Sequence, residues 1–261
     1  MQLNYQINGQ GNRTLFFIHG WASDKSVWKN QVEEFKKDYK VISVDLAGQG
    51  ESPWIETDNL LGHYSESILG LCNDLKLKQV DFIGWSLSGY ILFELHKKSP
   101  ELFNSLTFVA STPKFLNSPD YNCGMDEPNL KLLEKKLKEN LSSALDEFRL
   151  FMFSRKERED FNFPRIWELL KNISSSHPQA LNLGLELLQN ADFRPYLSGI
   201  DKPTLLIAGE KDTVTPKSAA EFMHEKIKGS ELTIFKDCGH APFLTQPEKF
   251  NQILREWISK R

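Results

Sequence analysis

The stretch from residue 79 to residue 90 reads QVDFIGWSLSGY, an apolar run that ends in a serine between small residues and leads into a helix-compatible segment. A strand that turns abruptly into a helix at such a serine holds the side chain exposed in a strained turn, the nucleophile elbow. Gly84 and Gly89 permit this tight backbone geometry. The helix predicted over residues 87–98 directs its first N–H groups toward the atom under attack, where negative charge develops. We therefore predict Ser86 as a nucleophile.

One residue of this stretch departs from the usual Gly-x-Ser-x-Gly motif. Ser88 stands where the second glycine is expected, and Gly89 follows one position late. Serine is small enough to let helix and strand approach each other, so we interpret it as a tolerated variant. Because similar patterns occur in ordinary strand-to-helix turns, the assignment of Ser86 depends on partners elsewhere in the chain.

Composition excludes several classes of protein. The chain has 261 residues, 40% hydrophobic and 26% charged, with a formal net charge of -3, so we expect a folded globular protein without a basic nucleic-acid surface. Three widely spaced cysteines show no zinc or disulfide pattern, and we expect reduced thiols and no metal. No signal-like start and no apolar run of about 20 residues is present. We predict a soluble, cytoplasmic monomer that needs no cofactor and binds neither nucleic acid nor membrane.

Strands and helices alternate along both ends of the chain, which is typical of a mostly parallel sheet covered by helices on both faces. A turn at residues 9–12 separates an expected opening pair of strands. The predicted strands are residues 3–7, 14–18, 40–46, 80–83, 104–110, 202–208 and 231–235. The predicted helices of this part are residues 24–37, 60–75, 87–98 and 248–260.

The middle of the chain has a different pattern. Residues 114–190 contain no convincing strand but several charged helical stretches, at 130–140, 144–153, 165–173 and 180–189. We predict that residues 1–113 and 191–261 form an α/β core and that residues 114–190 form an inserted helical lid. The basic residues of this lid indicate either a solvated helix face or a surface that docks an acidic carrier.

Two further residues complete a catalytic arrangement with Ser86. Asp212 and His240 each follow a predicted strand, where an open α/β sheet carries its functional groups. The chain order Ser, Asp, His is that of the α/β-hydrolase triad. Glu210 and Asp201 remain weaker candidates for the acid.

A site of this kind also needs hydrogen-bond donors for an oxyanion. A His-Gly pair at residues 19 and 20 follows a predicted strand, and the loop after that strand supplies a backbone N–H in such enzymes. We predict the N–H groups of Trp21 and Leu87 as the oxyanion donors.

The chain resembles the α/β-hydrolase superfamily over almost its whole length. Within it, the motifs GWSL at 84–87, HGW at 19–21, ASTP at 110–113, NLGLELL at 182–188 and GHAPF at 239–243 resemble those of the pimeloyl-[acyl-carrier protein] methyl ester esterases of biotin synthesis. The resemblance implies an α/β-hydrolase fold with a lid, a serine carboxylesterase activity on a carrier-bound methyl ester, and an acyl-carrier protein as partner, docked by lid arginines among Arg149, Arg155 and Arg158. It further implies substrate contacts at Trp21, Ser86, Leu87, Phe148, Arg149, Leu150, Phe151, Met152 and His240.

Two other functions remain open at this point. A generalist short-chain carboxylesterase has the same fold and triad, since neither determines the substrate. A non-catalytic binding protein on this scaffold is disfavoured because no triad member is lost. A dehalogenase is also disfavoured, since that chemistry uses a carboxylate where Ser86 lies.

Overall fold

A seven-stranded sheet forms the centre of the computed structural model, which describes residues 3–174 and 176–261. Its spatial order is β1-β3-β2-β4-β5-β6-β7, with β1 antiparallel and the other strands parallel. Met1, Gln2 and Ser175, which fall within the predicted core and lid, lie outside the described residues. The strands are β1 (Tyr5–Asn8), β2 (Thr14–Ile18), β3 (Lys40–Val44), β4 (Val80–Trp85), β5 (Phe103–Val109), β6 (Thr204–Gly209) and β7 (Glu231–Phe235).

The predicted opening pair of strands is wrong as a pair. Both strands form, but β3 lies between them and bonds to each, antiparallel to β1 and parallel to β2. The predicted helix over residues 24–37 is also divided, into a 3-10 turn (Lys25–Trp28) and α1 (Lys29–Phe35). Asp24 is the N-cap of the 3-10 turn, because its side chain accepts the N–H of Ser26. The turn therefore begins at Lys25, ahead of α1.

Helices cover the sheet on both faces, and β2, β4 and β6 are buried along their whole length. Such strands read as continuous apolar runs because neither face meets water. Within residues 3–174 and 176–261, no helix combines the length and apolar character that a membrane span requires. The helices that flank the strands are α1, α2 (Leu60–Asp74), α3 (Ser88–Lys98), α9 (Lys217–Lys226), α10 (Pro242–Thr245) and α11 (Pro247–Ser259).

Within the described residues, five α-helices lie in the region predicted as an insertion, between β5 and β6. The two ends of this insertion meet: Lys114 and Asp192 form an antiparallel bridge, and the N–H of Phe193 donates to the carbonyl of Pro113 at 2.8 Å. The helices are α4 (Glu127–Glu139), α5 (Leu141–Phe151), α6 (Arg155–Arg158), α7 (Phe163–Lys171) and α8 (Pro178–Asn190).

The parallel register brings the carboxyl ends of the central strands to one edge of the sheet. Trp85 at the end of β4 is opposite Val109 of β5, and Val109 is opposite Ile207 of β6. The loops after β2, β4, β6 and β7 therefore converge, which is where ligands bind in open α/β sheets.

Candidate active site

Ser86 lies in a sharp turn between β4 and α3. Its φ is +57°, in the left-handed region that non-glycine residues rarely adopt, and its N–H donates to the carbonyl of Val109 at 2.9 Å. A Cβ added at Gly84 would come within 3.0 Å of Leu92, so the strand and helix are close at this point. This is the strand-turn-helix geometry expected of a nucleophile elbow.

Ser88, the departure from the motif, is the first residue of α3 and is fully buried. Its hydroxyl donates to the backbone carbonyl of His19 in the loop after β2. The position at which only glycine fits is Gly89, one residue later. A Cβ there would come within 2.8 Å of the Ser111 side chain. Position 88 thus accommodates a hydroxyl and gives it a buried acceptor.

The side chains of Ser86, His240 and Asp212 form a continuous hydrogen-bonded chain. His240 Nε2 lies 2.9 Å from Ser86 Oγ, and His240 Nδ1 lies 2.8 Å from Asp212 Oδ2. The other carboxylate oxygen of Asp212 accepts the N–H groups of Val214 and Thr215 at 2.8 and 2.9 Å. This arrangement orients the imidazole so that Nε2 is free to take the Ser86 proton.

The two alternative acids lie elsewhere. Glu210 accepts the N–H of Asp237 at 3.1 Å, and that hydrogen bond lowers the pKa of its carboxyl. Asp201 pairs with His96 at 3.2 Å. Among the three carboxylates considered from the sequence, the one bonded to His240 is Asp212.

The loop after β2 brings the N–H of Trp21 toward the same site. Among the residues that the structure describes, no protein acceptor receives the N–H of Trp21 or of Leu87. Both amides border Ser86, Leu87 as the next residue and Trp21 through Gly20, where an added Cβ would come within 3.1 Å of Ser86 Cβ. Two free N–H groups beside a nucleophile are the donors that an oxyanion needs.

His19 anchors the loop after β2 through hydrogen bonds of its imidazole, a role that we did not predict. It is completely buried, its Nε2 accepts the N–H of Leu46 at 3.0 Å, and its Nδ1 lies 2.8 Å from the carbonyl of Gly20. Burial lowers the pKa of His19, so the imidazole is neutral and donates from Nδ1. No local signal in the sequence distinguishes this structural histidine from a catalytic one.

The indole of Trp21 connects the same loop to the lid. Its Nε1–H donates to the carbonyl of Leu181 in α8 at 2.9 Å, and its ring meets Phe148 of α5 edge-on at 5.1 Å. A Cβ at Gly184 would come within 2.6 Å of the indole, so α8 packs directly on this ring. The glycine in the quoted 182–188 motif is therefore explained by this contact.

A cavity of about 190 Å³ opens above Ser86 and His240. Leu87, Arg149 and Leu150 are not among the described residues that line it, and the Arg149 guanidinium instead pairs with Asp146 at 3.1 Å. The predicted substrate contacts that do line it are Trp21, Ser86, Phe148, Phe151, Met152 and His240.

Sequence reasoning missed one wall of this cavity. The wall comes from α4. The amphipathic pattern of this segment predicts a helix, but it does not predict which part of the molecule the apolar face of the helix contacts. At its outer end, Lys136 of α4 forms an ion pair with Glu147 of α5. The missed residues of this wall are Asn129, Leu130, Leu132, Leu133 and Lys136 of α4, together with Glu147 of α5.

Comparisons with known proteins agree with this architecture. The model of the alpha/beta hydrolase fold family matches residues 13–247. The pimeloyl-[acyl-carrier protein] methyl ester esterase of Nitrosomonas europaea is 32% identical over 95% of this chain and 96% of its own length. The enzyme of the same name from Vibrio vulnificus is 28% identical over 99% of this chain and 98% of its own length.

Solved structures show the same fold. An esterase from Exiguobacterium antarcticum has a TM-score of 0.90 and 26% identity, covering 98% of this chain and 95% of its own. A bromoperoxidase from Bacillus anthracis has the same TM-score at 22% identity, covering 98% of this chain and 95% of its own, and shows the fold alone. The predicted fold class and the predicted assignment to the carboxylic ester hydrolases are confirmed. The chain belongs to the α/β-hydrolase family, in the branch of the pimeloyl-[acyl-carrier protein] methyl ester esterases.

Proposed function

We propose that this chain hydrolyses the methyl ester of pimeloyl-[acyl-carrier protein], with Ser86, His240 and Asp212 as its catalytic triad. The observation that carries the proposal is the chain of two hydrogen bonds, 2.9 and 2.8 Å, at the floor of an apolar cavity. The names of the curated relatives supply the substrate.

The first half of the reaction forms an acyl-enzyme. Ser86 Oγ attacks the ester carbonyl carbon while His240 Nε2 takes the hydroxyl proton, and Asp212 stabilises the imidazolium. The N–H groups of Trp21 and Leu87 bind the oxyanion. When the tetrahedral intermediate collapses, the bond to the methoxy oxygen breaks, and His240 protonates the leaving methanol.

The second half releases the acid. His240 takes a proton from water, whose oxygen attacks the acyl carbon, and the Ser86 oxygen leaves with that proton. The product carboxylate then lies among apolar side chains, and an unpaired charge is costly to bury. The one cation on the described cavity wall, Lys136, is already paired with Glu147 at the outer end, so the charged product is favoured to leave.

The experiment that tests this function compares two substrates on the purified protein. We expect methanol and a free carboxylate from pimeloyl-[acyl-carrier protein] methyl ester, with a kcat/KM well above that for p-nitrophenyl acetate. Equal kcat/KM values would favour the generalist carboxylesterase. Growth rescue of a biotin-requiring strain that lacks its own esterase provides the test in cells, with Ser86→Ala as the inactive control.

We propose further that residues 114–190 act as a lid and that the carrier docks where the cavity opens. This segment holds eleven Lys and Arg against twelve Asp and Glu, so any attraction to an acidic carrier is local. Arg149 is unsuited to docking because its side chain is only 12% exposed and pairs with Asp146, whereas Arg155 pairs with Glu159 at an exposed surface, where water or a carrier carboxylate can compete for it. Arg155 and Arg158 of α6 are exposed and follow the cavity-lining end of α5.

Charge reversal tests this docking. The double variant Arg155→Glu, Arg158→Glu is expected to raise KM for the carrier-bound ester about tenfold at low ionic strength. The increase should be smaller in added salt, which screens the charges. Hydrolysis of p-nitrophenyl acetate should not change. Arg165→Glu, an exposed arginine of α7, is the matched control. Equal losses on both substrates would contradict docking, and so would an unchanged KM.

A further inference from the structure

A short segment of the lid is bonded directly to the loop that carries His240. The N–H of His240 donates to the carbonyl of Met152 at 2.7 Å, and the hydroxyl of Ser154 donates to the carbonyl of Asp237 at 3.0 Å. Lys156 forms an ion pair with the Asp237 carboxylate at 2.8 Å. The junction between α5 and α6 therefore meets the histidine loop along its backbone.

One carboxylate lies at the centre of this junction. Glu157 is buried, and its Oε2 accepts the N–H of Ser154 and the N–H of Gly239, each at 2.8 Å. Its Oε1 accepts the hydroxyl of Thr245 in α10 at 2.7 Å. A buried carboxylate requires such donors, because burying an unpaired charge is costly. Three donors from three different segments converge on this one side chain.

The fit around Gly239 is tight. A Cβ at this position would come within 2.3 Å of the Met152 carbonyl oxygen and 3.0 Å of Glu157 Oε2. The residue before His240 is thus held between the lid backbone and the Glu157 carboxylate. Any shift of that carboxylate would move the peptide unit that sets the direction of the His240 side chain.

We propose that Glu157 is a positioning residue for His240. The inference rests on the proposed function, in which His240 transfers protons at Ser86. Glu157 holds the Gly239 N–H on one side and the start of α6 on the other, so the position of the catalytic imidazole follows that of the lid. Met152 connects the lid to the histidine loop, since it lines the cavity and its carbonyl accepts the His240 N–H.

Substitutions of Glu157 test the proposal through kcat and KM. Glu157→Ala is expected to lower kcat on p-nitrophenyl acetate about 10- to 100-fold, with KM within about twofold, because misplacing a catalytic group impairs the chemical step. Glu157→Gln should restore most of kcat. Its amide oxygen can accept the two N–H groups, and its amide N–H can donate to the Thr245 hydroxyl. Glu159→Ala, an exposed glutamate two residues later, is the matched control.

Further measurements separate this inference from the proposed function. If Ser86→Ala is inactive but folded Glu157→Ala keeps normal kcat, the positioning role is overturned and the triad stands. Activity in Ser86→Ala would overturn the triad itself. If Glu157→Ala does not fold, Glu157→Asp is measured in its place. This substitution keeps the negative charge but shortens the side chain by one methylene, which moves the carboxylate away from its donors. A folded Glu157→Asp with normal kcat would also overturn the proposal.

Discussion

The floor and the mouth of the cavity are built differently. At the floor, the Asp212 and His240 side chains are almost completely buried, and each makes hydrogen bonds to more than one partner. At the mouth, Leu132 and Phe151 are 52% and 46% exposed, and the ion pair of Lys136 and Glu147 faces solvent. Groups at the floor have fixed partners, whereas water can replace a partner at the mouth.

This difference indicates where the molecule tolerates change. A buried polar group that loses its partner costs about 1–3 kcal/mol, so a change at the floor affects its neighbours. An exposed ion pair contributes about 0–1 kcal/mol, and an exposed apolar side chain has little contact area to lose. We therefore expect substitutions at the floor to affect kcat and substitutions at the mouth to affect KM.

The largest effect is expected for the triad. Ser86→Ala or His240→Ala should each lower kcat by about 10³-fold or more, and the double variant should lose little more, because the two residues act as a unit. The measurement is kcat on both the carrier-bound methyl ester and p-nitrophenyl acetate.

A serine outside the active site provides the control for this series. Ser142→Ala changes an exposed serine at the start of α5 and should leave kcat unchanged. Near-normal activity in a folded Ser86→Ala variant would show that the nucleophile has been misassigned.

A smaller effect is expected at Ser88, which is fully buried two residues after Ser86. Ser88→Ala removes the donor to the His19 carbonyl and leaves that buried oxygen without it, which should lower the free energy of unfolding by about 1–3 kcal/mol. Because His19 precedes the Gly20–Trp21 peptide, we also expect kcat to fall, by about tenfold or less. Urea unfolding and kcat on p-nitrophenyl acetate measure the two effects.

Ser65→Ala is the matched control for Ser88→Ala. Ser65 is also buried and helical, and its hydroxyl donates to the Gly62 carbonyl at 2.9 Å within α2, outside the loops that carry Ser86, Asp212 and His240. Its loss should lower stability but not kcat. If Ser88→Ala and Ser88→Gly both keep full kcat, the hydroxyl contributes to folding only, as our interpretation of Ser88 as a tolerated variant implies.

The smallest effect is expected at the mouth. Phe151→Ala removes a half-exposed ring from the cavity wall, worth about 1 kcal/mol of apolar contact, so KM for the seven-carbon ester should rise about fivefold. Hydrolysis of p-nitrophenyl acetate should hardly change, because an acetyl group does not reach the mouth. Phe161→Ala, at a ring that is 88% exposed and not among the described residues of the wall, is the control. A drop in kcat without a change in KM would contradict this division of roles.

The same contrast explains what could be predicted from the sequence. Ser86, Asp212 and His240 could be predicted as a triad because each follows a strand, and strand ends are readable from local apolar runs. The structure brings their side chains within hydrogen-bonding distance. The sequence favours Asp212 over Glu210 and Asp201 as the acid, but only the folded chain shows which carboxylate meets the imidazole. The hydrogen bonds of Ser88 and Glu157 could not be predicted because their partners are distant in the chain: Ser88 and His19 are 69 positions apart, and Glu157 and Gly239 are 82 positions apart.

The α4 wall was missed for a related reason. Helical periodicity shows that one face of α4 is apolar, but not which surface it packs against. Which helix lines a cavity depends on the loop path between elements, here residues 114–126, where no regular pattern helps. Tertiary contacts between helices of an insertion therefore lie beyond the reach of local sequence patterns.

The junction at Glu157 has a consequence for protein engineering. The insertion begins and ends at backbone positions that are hydrogen-bonded to each other, Pro113 and Phe193. These two positions are therefore natural junctions for exchanging lids between homologous hydrolases. A transplanted lid without a carboxylate at the position of Glu157 would leave the donors at Gly239 and Thr245 without their acceptor. A chimaera that takes its lid from this chain keeps these contacts if residues 237–245 are transferred with the lid, so the unit of recombination consists of two segments that are far apart in the chain.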